Sequence, residues 1–242
     1  MILASPARFD GQLAVLTGVA HRGQVGEVVA RALGERGAAL ALLDRNAAEL
    51  EARASELRAD GISATAFPCD LTDHQALRVI TDELARLHPA GVAALVPIAG
   101  GFGGATPVAE SDPHEWARLQ SINLATAYAT TRAFIPALRA AHGSIVYFAS
   151  AAVTRGGSVK GIAAYGAAKA GVVALMRAVA AEERAHGVRA NALAPTNVRT
   201  ATNLAAMGSD IAYVERETVA EWIAFLCSPA SGPVSGQLIK LG

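Results

Sequence analysis

The sequence predicts an α/β fold in which a parallel sheet is covered by helices on both faces. Seven short, almost entirely apolar segments alternate along the chain with longer segments of helical periodicity. A strand that is apolar on both sides must be buried on both sides, and strands that alternate with helices form a parallel, doubly wound sheet through right-handed crossovers. We expect strands near residues 13–17, 39–43, 62–67, 93–98, 144–149, 188–193 and 237–241. We expect helices near residues 24–36, 46–59, 72–87, 113–140, 164–186 and 217–227.

The composition predicts one globular domain spanning residues 1–242. The chain is 52% hydrophobic and 17% charged, and no linker or repeat divides it. Its 21 basic residues balance its 21 acidic ones, which argues against a nucleic-acid partner or a charged membrane surface. No apolar run approaches the length of a membrane span, and residues 1–10 lack the pattern of a signal peptide. The two cysteines and six histidines lack ligand spacing, so we expect no metal site and a reducing, cytoplasmic location.

A glycine-containing turn near the start of the chain predicts a phosphate-binding site. It lies between the strand at 13–17 and helical periodicity at 27–36, so backbone N–H groups and a helix N-terminus would face a bound phosphate. Asp44 ends the second strand, roughly 20 residues later, where a carboxylate can accept hydrogen bonds from a ribose diol. The pattern is typical of a Rossmann dinucleotide site, with Gly18, Gly23, Val25 and Gly26 as its turn residues. The alternatives are an ordinary strand–helix turn and a helix N-cap at Asp44.

Tyr165 and Lys169 form the clearest candidate for chemistry. Their spacing of four places both side chains on one face of a helix, one turn apart. An ammonium beside a phenol lowers the phenol pKa, and such a tyrosine can exchange a proton with a substrate oxygen. A solvated helix pair without function is the alternative. The carboxyl ends of parallel strands form one rim, however, and this helix starts there beside the glycine turn and Asp44, which favours the functional interpretation.

Taken together, these motifs resemble the classical short-chain dehydrogenase/reductase family over nearly the whole chain. The resemblance rests on residues 17–18, the Asp70-Leu71 pair, residues 99–100, the Tyr165/Lys169 spacing and the segment 195–200. It implies a catalytic set of Asn123, Ser150, Tyr165 and Lys169. It implies cofactor contacts from Gly18, Gly23, Val25, Gly26, Asp44, Arg45, Asp70, Leu71, Ala99, Gly100, Tyr165, Lys169, Pro195, Val198 and Thr200.

Several positions depart from the family pattern. The glycine turn is longer than usual, Pro97 and Ile98 replace two asparagines, and Thr196 replaces a glycine. The segment from Ser150 to Tyr165 is also longer, and few residues separate Thr200 from the next helix, so the substrate lid should be short. Residues 99–104, 195–196 and 235–239 most resemble dihydropteridine reductases, which is a local likeness within the family.

The resemblance implies an NAD(P)-dependent oxidoreductase that transfers a hydride between nicotinamide and a small carbonyl, alcohol or quinonoid substrate. Ser150 would polarise the carbonyl, Tyr165 would donate the proton, and Asn123 would position a water that links Lys169 to solvent. Asp44 should repel a 2′-phosphate, so NAD(H) is preferred, whereas Arg45 leaves NADP(H) possible. The resemblance also implies a homodimer or homotetramer. A non-catalytic dinucleotide-binding protein is the alternative of a different class.

Overall fold

The computed structural model describes residues 8–242 and confirms the predicted α/β architecture. Seven strands form one parallel sheet in the order β3-β2-β1-β4-β5-β6-β7. The strands are β1 (Leu13–Thr17), β2 (Ala39–Asp44), β3 (Ala64–Pro68), β4 (Val92–Pro97), β5 (Ser144–Phe148), β6 (Arg189–Pro195) and β7 (Leu238–Leu241). Residues 1–7, the start of the predicted domain, lie outside the described residues.

Helices cover both faces of this sheet. They are α1 (Val25–Glu35), α2 (Ala47–Ala59), α3 (His74–Leu87), α4 (Pro113–Gln120), α5 (Thr126–Ala141), α6 (Ala163–Glu182), α7 (Ala201–Met207) and α8 (Arg216–Cys227). Leu16 and Leu42 face one core, which α1, α2 and α8 close. Val15 and Leu43 face the other core, which α3, α5 and α6 close. Neighbouring strand residues therefore enter opposite cores, which explains why the strands are apolar on both faces.

The helix predicted over 113–140 is wrong in one respect, because a π-helical turn at Ser121–Ala125 separates α4 from α5. A π-turn inserts one extra residue into a helix and often occurs at functional sites. Asn123 lies inside this turn and is buried. The helix predicted over 164–186 ends earlier, at Glu182, and α7 follows Thr200 in a region where no helix was predicted.

The order of the strands creates a crevice beside β1. The chain winds from β1 outward to β3 in one direction and from β4 outward to β7 in the other, so the direction reverses between β1 and β4. Ligands of such sheets bind beyond the strand ends at this reversal. Gly18 follows β1 with a φ of +72°, and a Cβ at this position would lie 2.6 Å from the Cα of Ala99, which follows β4. The two loops therefore meet closely, and this contact forms the floor of the crevice.

Helix α6 corrects the expectation that no apolar segment reaches the length of a membrane span. By length and composition alone this helix could cross a membrane. Val172, Met176 and Val179 of α6 are, however, buried in the core against the sheet. Packing within the fold accounts for the apolar character of the helix.

Candidate functional site

A cleft of about 1060 Å³ opens at the carboxyl ends of the strands and collects nearly all the predicted site residues. Those that line it are Gly18, Val25, Gly26, Asp44, Arg45, Asp70, Leu71, Ala99, Gly100, Asn123, Ser150, Tyr165, Lys169, Pro195, Val198 and Thr200. Gly23 does not line the cleft. Its N–H donates to the Glu27 carboxylate (2.8 Å), and its carbonyl accepts from the N–H of Ala201 (2.9 Å), so it joins the turn to α7.

The glycine turn makes a cradle that larger residues would fill. A Cβ at Gly26 would lie 2.4 Å from the carbonyl oxygen of Gly18 and 2.9 Å from the Cα of Val19. Real side chains do not tolerate such distances to backbone atoms, so the first turn of α1 lies directly against the strand end. Because the glycines carry no side chains, the backbone of this turn is accessible to a ligand in the cleft.

Asp44 stands at the tip of β2 and faces this turn. Its carboxylate accepts hydrogen bonds from the N–H groups of Ala20 (3.2 Å) and Asn46 (3.3 Å). Asn46 is the N-cap of α2, since its side chain accepts from the N–H of Glu49. The alternative role of Asp44 as this helix's N-cap is therefore wrong, and the carboxylate remains at the cleft wall.

Asp70 has a local partner and a place at the cleft. The N–H of Thr72 (2.8 Å) and the Thr72 hydroxyl (2.7 Å) both donate to its carboxylate, and they hold the pKa of Asp70 below its usual value. Asp73 is the N-cap of α3, because its side chain accepts from the N–H groups of Gln75 and Ala76. Leu71, which follows Asp70 in the chain, is buried.

Lys169 is an almost completely buried ammonium, with 4% of its surface exposed. Its Nζ donates to the carbonyl oxygen of Phe148 at the end of β5 (2.8 Å). The same atom lies 5.7 Å from the ring centre of Tyr165 and 5.8 Å from that of Phe148. Burial lowers the pKa of Lys169 to about 8, because desolvation disfavours the charged form.

Tyr165 differs from the sequence-based expectation in its ionisation. Burial raises the pKa of Tyr165 above its usual value, and the Ser150 hydroxyl opposes this shift by hydrogen bonding. The expected net lowering of the Tyr165 pKa is therefore wrong, because the effect of burial is the larger one. At neutral pH the tyrosine is therefore a protonated group that can donate.

Asn123 clamps the loop that follows β4. Its Oδ1 accepts from the N–H of Gly101 (3.2 Å), and its Nδ2 donates to the carbonyls of Gly101 (2.9 Å) and Leu119 (3.0 Å). A Cβ at Gly100 would lie 2.5 Å from this Oδ1. Both N–H groups of the amide are thus engaged with protein carbonyls, and the water that the resemblance implies at Asn123 stays a prediction.

Ser150 and Thr200 sit at strand ends and cap short helices. The Ser150 Oγ accepts from the N–H of Ala152 (3.3 Å) at the start of a 3₁₀ turn, Ala151–Val153. The Thr200 hydroxyl accepts from the N–H of Asn203 (3.1 Å) as the N-cap of α7. Phe102, in the loop after β4, also lines the cleft, whereas Tyr213 and Met207, which follow Thr200, do not.

Two polar contacts that support the site were missed. The Thr17 hydroxyl accepts from the N–H of Ala99 (3.2 Å), and the Gln120 amide donates to the carbonyl of Ala164 (2.8 Å), which precedes Tyr165. The position of Thr17 at the end of an apolar strand could have predicted its contact. The Gln120 contact could not have been predicted, because it joins two helices that are distant in sequence. Within residues 8–242, no three His, Cys, Asp or Glu side chains are grouped as metal ligands.

Comparisons with known proteins place the whole chain in one family. A family model described as enoyl-(acyl carrier protein) reductase matches residues 18–241. A (5R,7aS)-5-hydroxy-7a-methyl-1-oxo-2,3,5,6,7,7a-hexahydro-1H-indene-carboxyl-CoA reductase of Mycobacterium tuberculosis is 32% identical over 253 residues, covering 99% of this chain and 95% of that protein. A galactitol 2-dehydrogenase of Rhizobium johnstonii is 31% identical over 254 residues, covering 97% of this chain and 95% of that protein.

Solved structures are similar over the same extent. The crystal structure of a gluconate 5-dehydrogenase from Burkholderia cenocepacia, in complex with NADP and tartrate, has a TM-score of 0.87 at 27% identity, covering 97% of this chain and 94% of that chain. Because the relatives match from end to end and the family model covers nearly the whole sequence, this chain belongs to the short-chain dehydrogenase/reductase family.

Proposed function

We propose that this protein is an NAD(P)-dependent oxidoreductase that transfers a hydride between nicotinamide and the carbonyl or alcohol carbon of a small molecule. The observation that carries the proposal is the placement of Ser150, Tyr165 and Lys169 in the same cleft as the glycine turn and Asp44. A proton donor and a dinucleotide cradle in one cleft are what a hydride-transferring enzyme requires. A non-catalytic binding protein would have no need of a buried lysine beside a tyrosine.

The residues of the cleft fit a dinucleotide. The glycine cradle and the N-terminus of α1 suit a pyrophosphate, because the backbone is accessible and the helix dipole favours anions. The Asp44 carboxylate has two backbone N–H partners and retains lone pairs that a ribose diol can use. Leu71 supplies an apolar surface beside Asp70, suited to an adenine ring.

The reaction assigns one task to each side chain. When bound, the nicotinamide supplies or accepts the hydride. Ser150 donates a hydrogen bond to the substrate carbonyl, and Tyr165 passes its proton to the oxygen of the developing alkoxide. The ammonium of Lys169 stabilises the phenolate that remains and, as the family resemblance implies, holds the nicotinamide ribose. Asn123 acts through the backbone, since it fixes the loop at Gly101 beside the reacting groups.

Two relatives support a ketone or secondary alcohol as the substrate class, because galactitol 2-dehydrogenases are named for reaction at a secondary carbon. A D-threitol dehydrogenase and the indene-carboxyl-CoA reductase are named for an alcohol and for a compound with hydroxyl and oxo groups. The local likeness to dihydropteridine reductases, and with it a quinonoid substrate, stays a prediction. The cytoplasmic location also stays a prediction.

Removal of the Tyr165 hydroxyl tests the proposed chemistry. We expect Tyr165→Phe to lower kcat by about 10²–10⁴-fold, because a positioned acid is lost while the ring stays in place. The dissociation constant of the reduced cofactor should change little. Steady-state kinetics on a carbonyl that the wild type reduces, with cofactor titration as the control, give both values. Near-normal turnover of the variant would refute the proposed role.

Cofactor choice is a second prediction, and it depends on Asp44. We expect NADH to bind more tightly than NADPH, since the carboxylate repels a 2′-phosphate. Asp44→Asn keeps the shape and removes the charge, so it should reduce this preference about tenfold or more. Asp60→Asn, which removes an exposed charge paired with Arg31, is the matched control. Fluorescence titration measures the affinities of all three proteins for both cofactors, and tighter NADPH binding by the wild type would overturn the assignment.

We expect burial of the Lys169 ammonium to lower the free energy of unfolding of the cofactor-free protein. Its folded pKa of about 8 lies below the ordinary lysine value, so the unfolded chain holds more protons between these pH values. The penalty is complete below pH 8 and disappears as the pH rises through the unfolded pKa. Lys169→Met removes this penalty but also loses the hydrogen bond to Phe148. The net effect should be a rise in the free energy of unfolding of about 1–3 kcal/mol at pH 7.

Urea denaturation of the cofactor-free protein at pH 7 and pH 10 checks this prediction. The gain should be markedly smaller at pH 10, and the exposed Lys160→Met should change stability little at either pH. Equal gains at the two pH values, or destabilisation at pH 7, would contradict the burial argument.

Self-association into a homodimer or homotetramer is part of the proposal. The family resemblance implies that the segment predicted as a helix over 113–140 and the helix of Tyr165 pack against symmetry mates. Trp116 of α4 and Tyr128 of α5 expose large aromatic side chains on the first of these segments. We expect light scattering on a size-exclusion column, at micromolar concentration, to give a mass of two or four chains. A single peak at the 24.7 kDa chain mass would refute assembly and leave the catalytic proposal intact.

A further inference from the structure

Phe102 is the most exposed aromatic side chain that lines the cleft. Its side chain is 60% exposed although it is large and apolar, and its ring lies 5.2 Å from the ring of Tyr165 at an interplanar angle of 78°. Two rings at this angle form a corner. A third ring that lies flat on Phe102 would stand nearly perpendicular to the ring of Tyr165.

The backbone holds Phe102 at this corner from both sides. Before it, Gly101 is clamped by the Asn123 amide through both its N–H and its carbonyl. After it, a Cβ at Gly103 would lie 2.3 Å from the Glu115 carboxylate, and the N–H of Thr106 donates to the carbonyl of Gly161 (2.7 Å). The exposed ring thus projects from a loop that is fixed at its two ends.

Arg118 is a cation in the lining of the cleft that also contains Phe102, and it is already paired. Its guanidinium forms two hydrogen bonds to the Glu115 carboxylate (2.6 and 2.7 Å), so it is not free to bind a small anion. Ile122 adds an aliphatic side chain to the same wall, and its Cδ1 would lie 3.0 Å from a Cβ at Gly101. An aromatic face beside an aliphatic one favours an apolar ring over an open polyol.

We propose that Phe102 is the specificity-determining residue of this enzyme and selects cyclic ketones, or the corresponding ring alcohols, by stacking. The ring of the substrate lies against the Phe102 face, and the carbonyl at its edge reaches the Tyr165 and Ser150 hydroxyls. Binding buries the apolar surface that Phe102 exposes in the free protein. This inference rests on the proposed function and adds the substrate class to it.

Phe102→Leu tests the proposal, because leucine stays apolar but lacks the flat face. We expect kcat/KM for a bicyclic ketone such as tetralone to fall about tenfold or more, as loss of a stacked aromatic contact implies. For an open-chain ketone of equal carbon number it should fall less than about twofold. Phe102→Tyr should restore the ring preference. Phe225→Leu, which alters an exposed aromatic of α8 outside the cleft, is the matched control.

A binding experiment separates failure of this inference from failure of the proposed function. The Tyr165→Phe protein is saturated with NADH, and the dissociation constants of both ketones are measured by calorimetry with and without Phe102→Leu. Tighter binding of the ring ketone that Phe102→Leu weakens about tenfold supports the inference even if the wild type reduces neither ketone. Equal effects on both ketones, or no binding of the ring ketone, would overturn it.

Discussion

The hydrogen bond from Lys169 to the carbonyl of Phe148 is the interaction on which the site depends. It connects the N-terminal part of α6, which carries Tyr165, to Phe148, the last residue of β5. Ser150 follows Phe148 by two residues. The positions of Tyr165 and Ser150 are therefore fixed relative to each other by one buried ammonium. The same burial lowers the pKa of Lys169 to about 8, so the bond is maintained against a desolvation cost. Perturbed groups of this kind cluster at functional sites.

A second constraint is the close approach of the loops after β1 and β4. Gly18 lies against Ala99, Gly26 lies against Gly18, and Gly100 lies against Asn123. Each contact excludes a side chain larger than glycine, so these positions set the shape of the cleft rather than its chemistry. The substrate end is built differently, from a glycine-rich loop that carries Phe102 and is fixed at Gly101 and Thr106. The two ends of the cleft are therefore held by different means, close backbone contacts at one end and loop hydrogen bonds at the other.

The fold and most of the cleft could be predicted because they follow from local patterns. Apolar strands alternating with helices determine a parallel sheet, and the strand ends then bring Asp44, Asp70, Ser150 and Pro195 to one rim. The π-turn around Asn123 could not be predicted, since it depends on the amide's bonds to Gly101, which lies 22 residues earlier in the chain. Helix α7 was missed because its seven residues give no periodic signal.

The ionisation of the site residues could not be predicted from the sequence either. The spacing of Tyr165 and Lys169 predicts that they are neighbours, but the direction of the tyrosine pKa depends on how deeply both groups are buried. The N-cap of α2 shows the same limit on a smaller scale, because Asp44 and Asn46 are equally good cap residues in sequence and Asn46 is the one that caps the helix. Only the backbone geometry decides between them.

The most direct test of the account is to follow the hydride itself. Protein, NADH carrying deuterium at the transferred position of nicotinamide, and a panel of ring and open-chain ketones are incubated together, and the alcohols are analysed by mass spectrometry. The account predicts an alcohol with one deuterium on the former carbonyl carbon, formed by the wild type and nearly absent with Tyr165→Phe. Alcohol without deuterium, or equal deuterium transfer by both proteins, would contradict it.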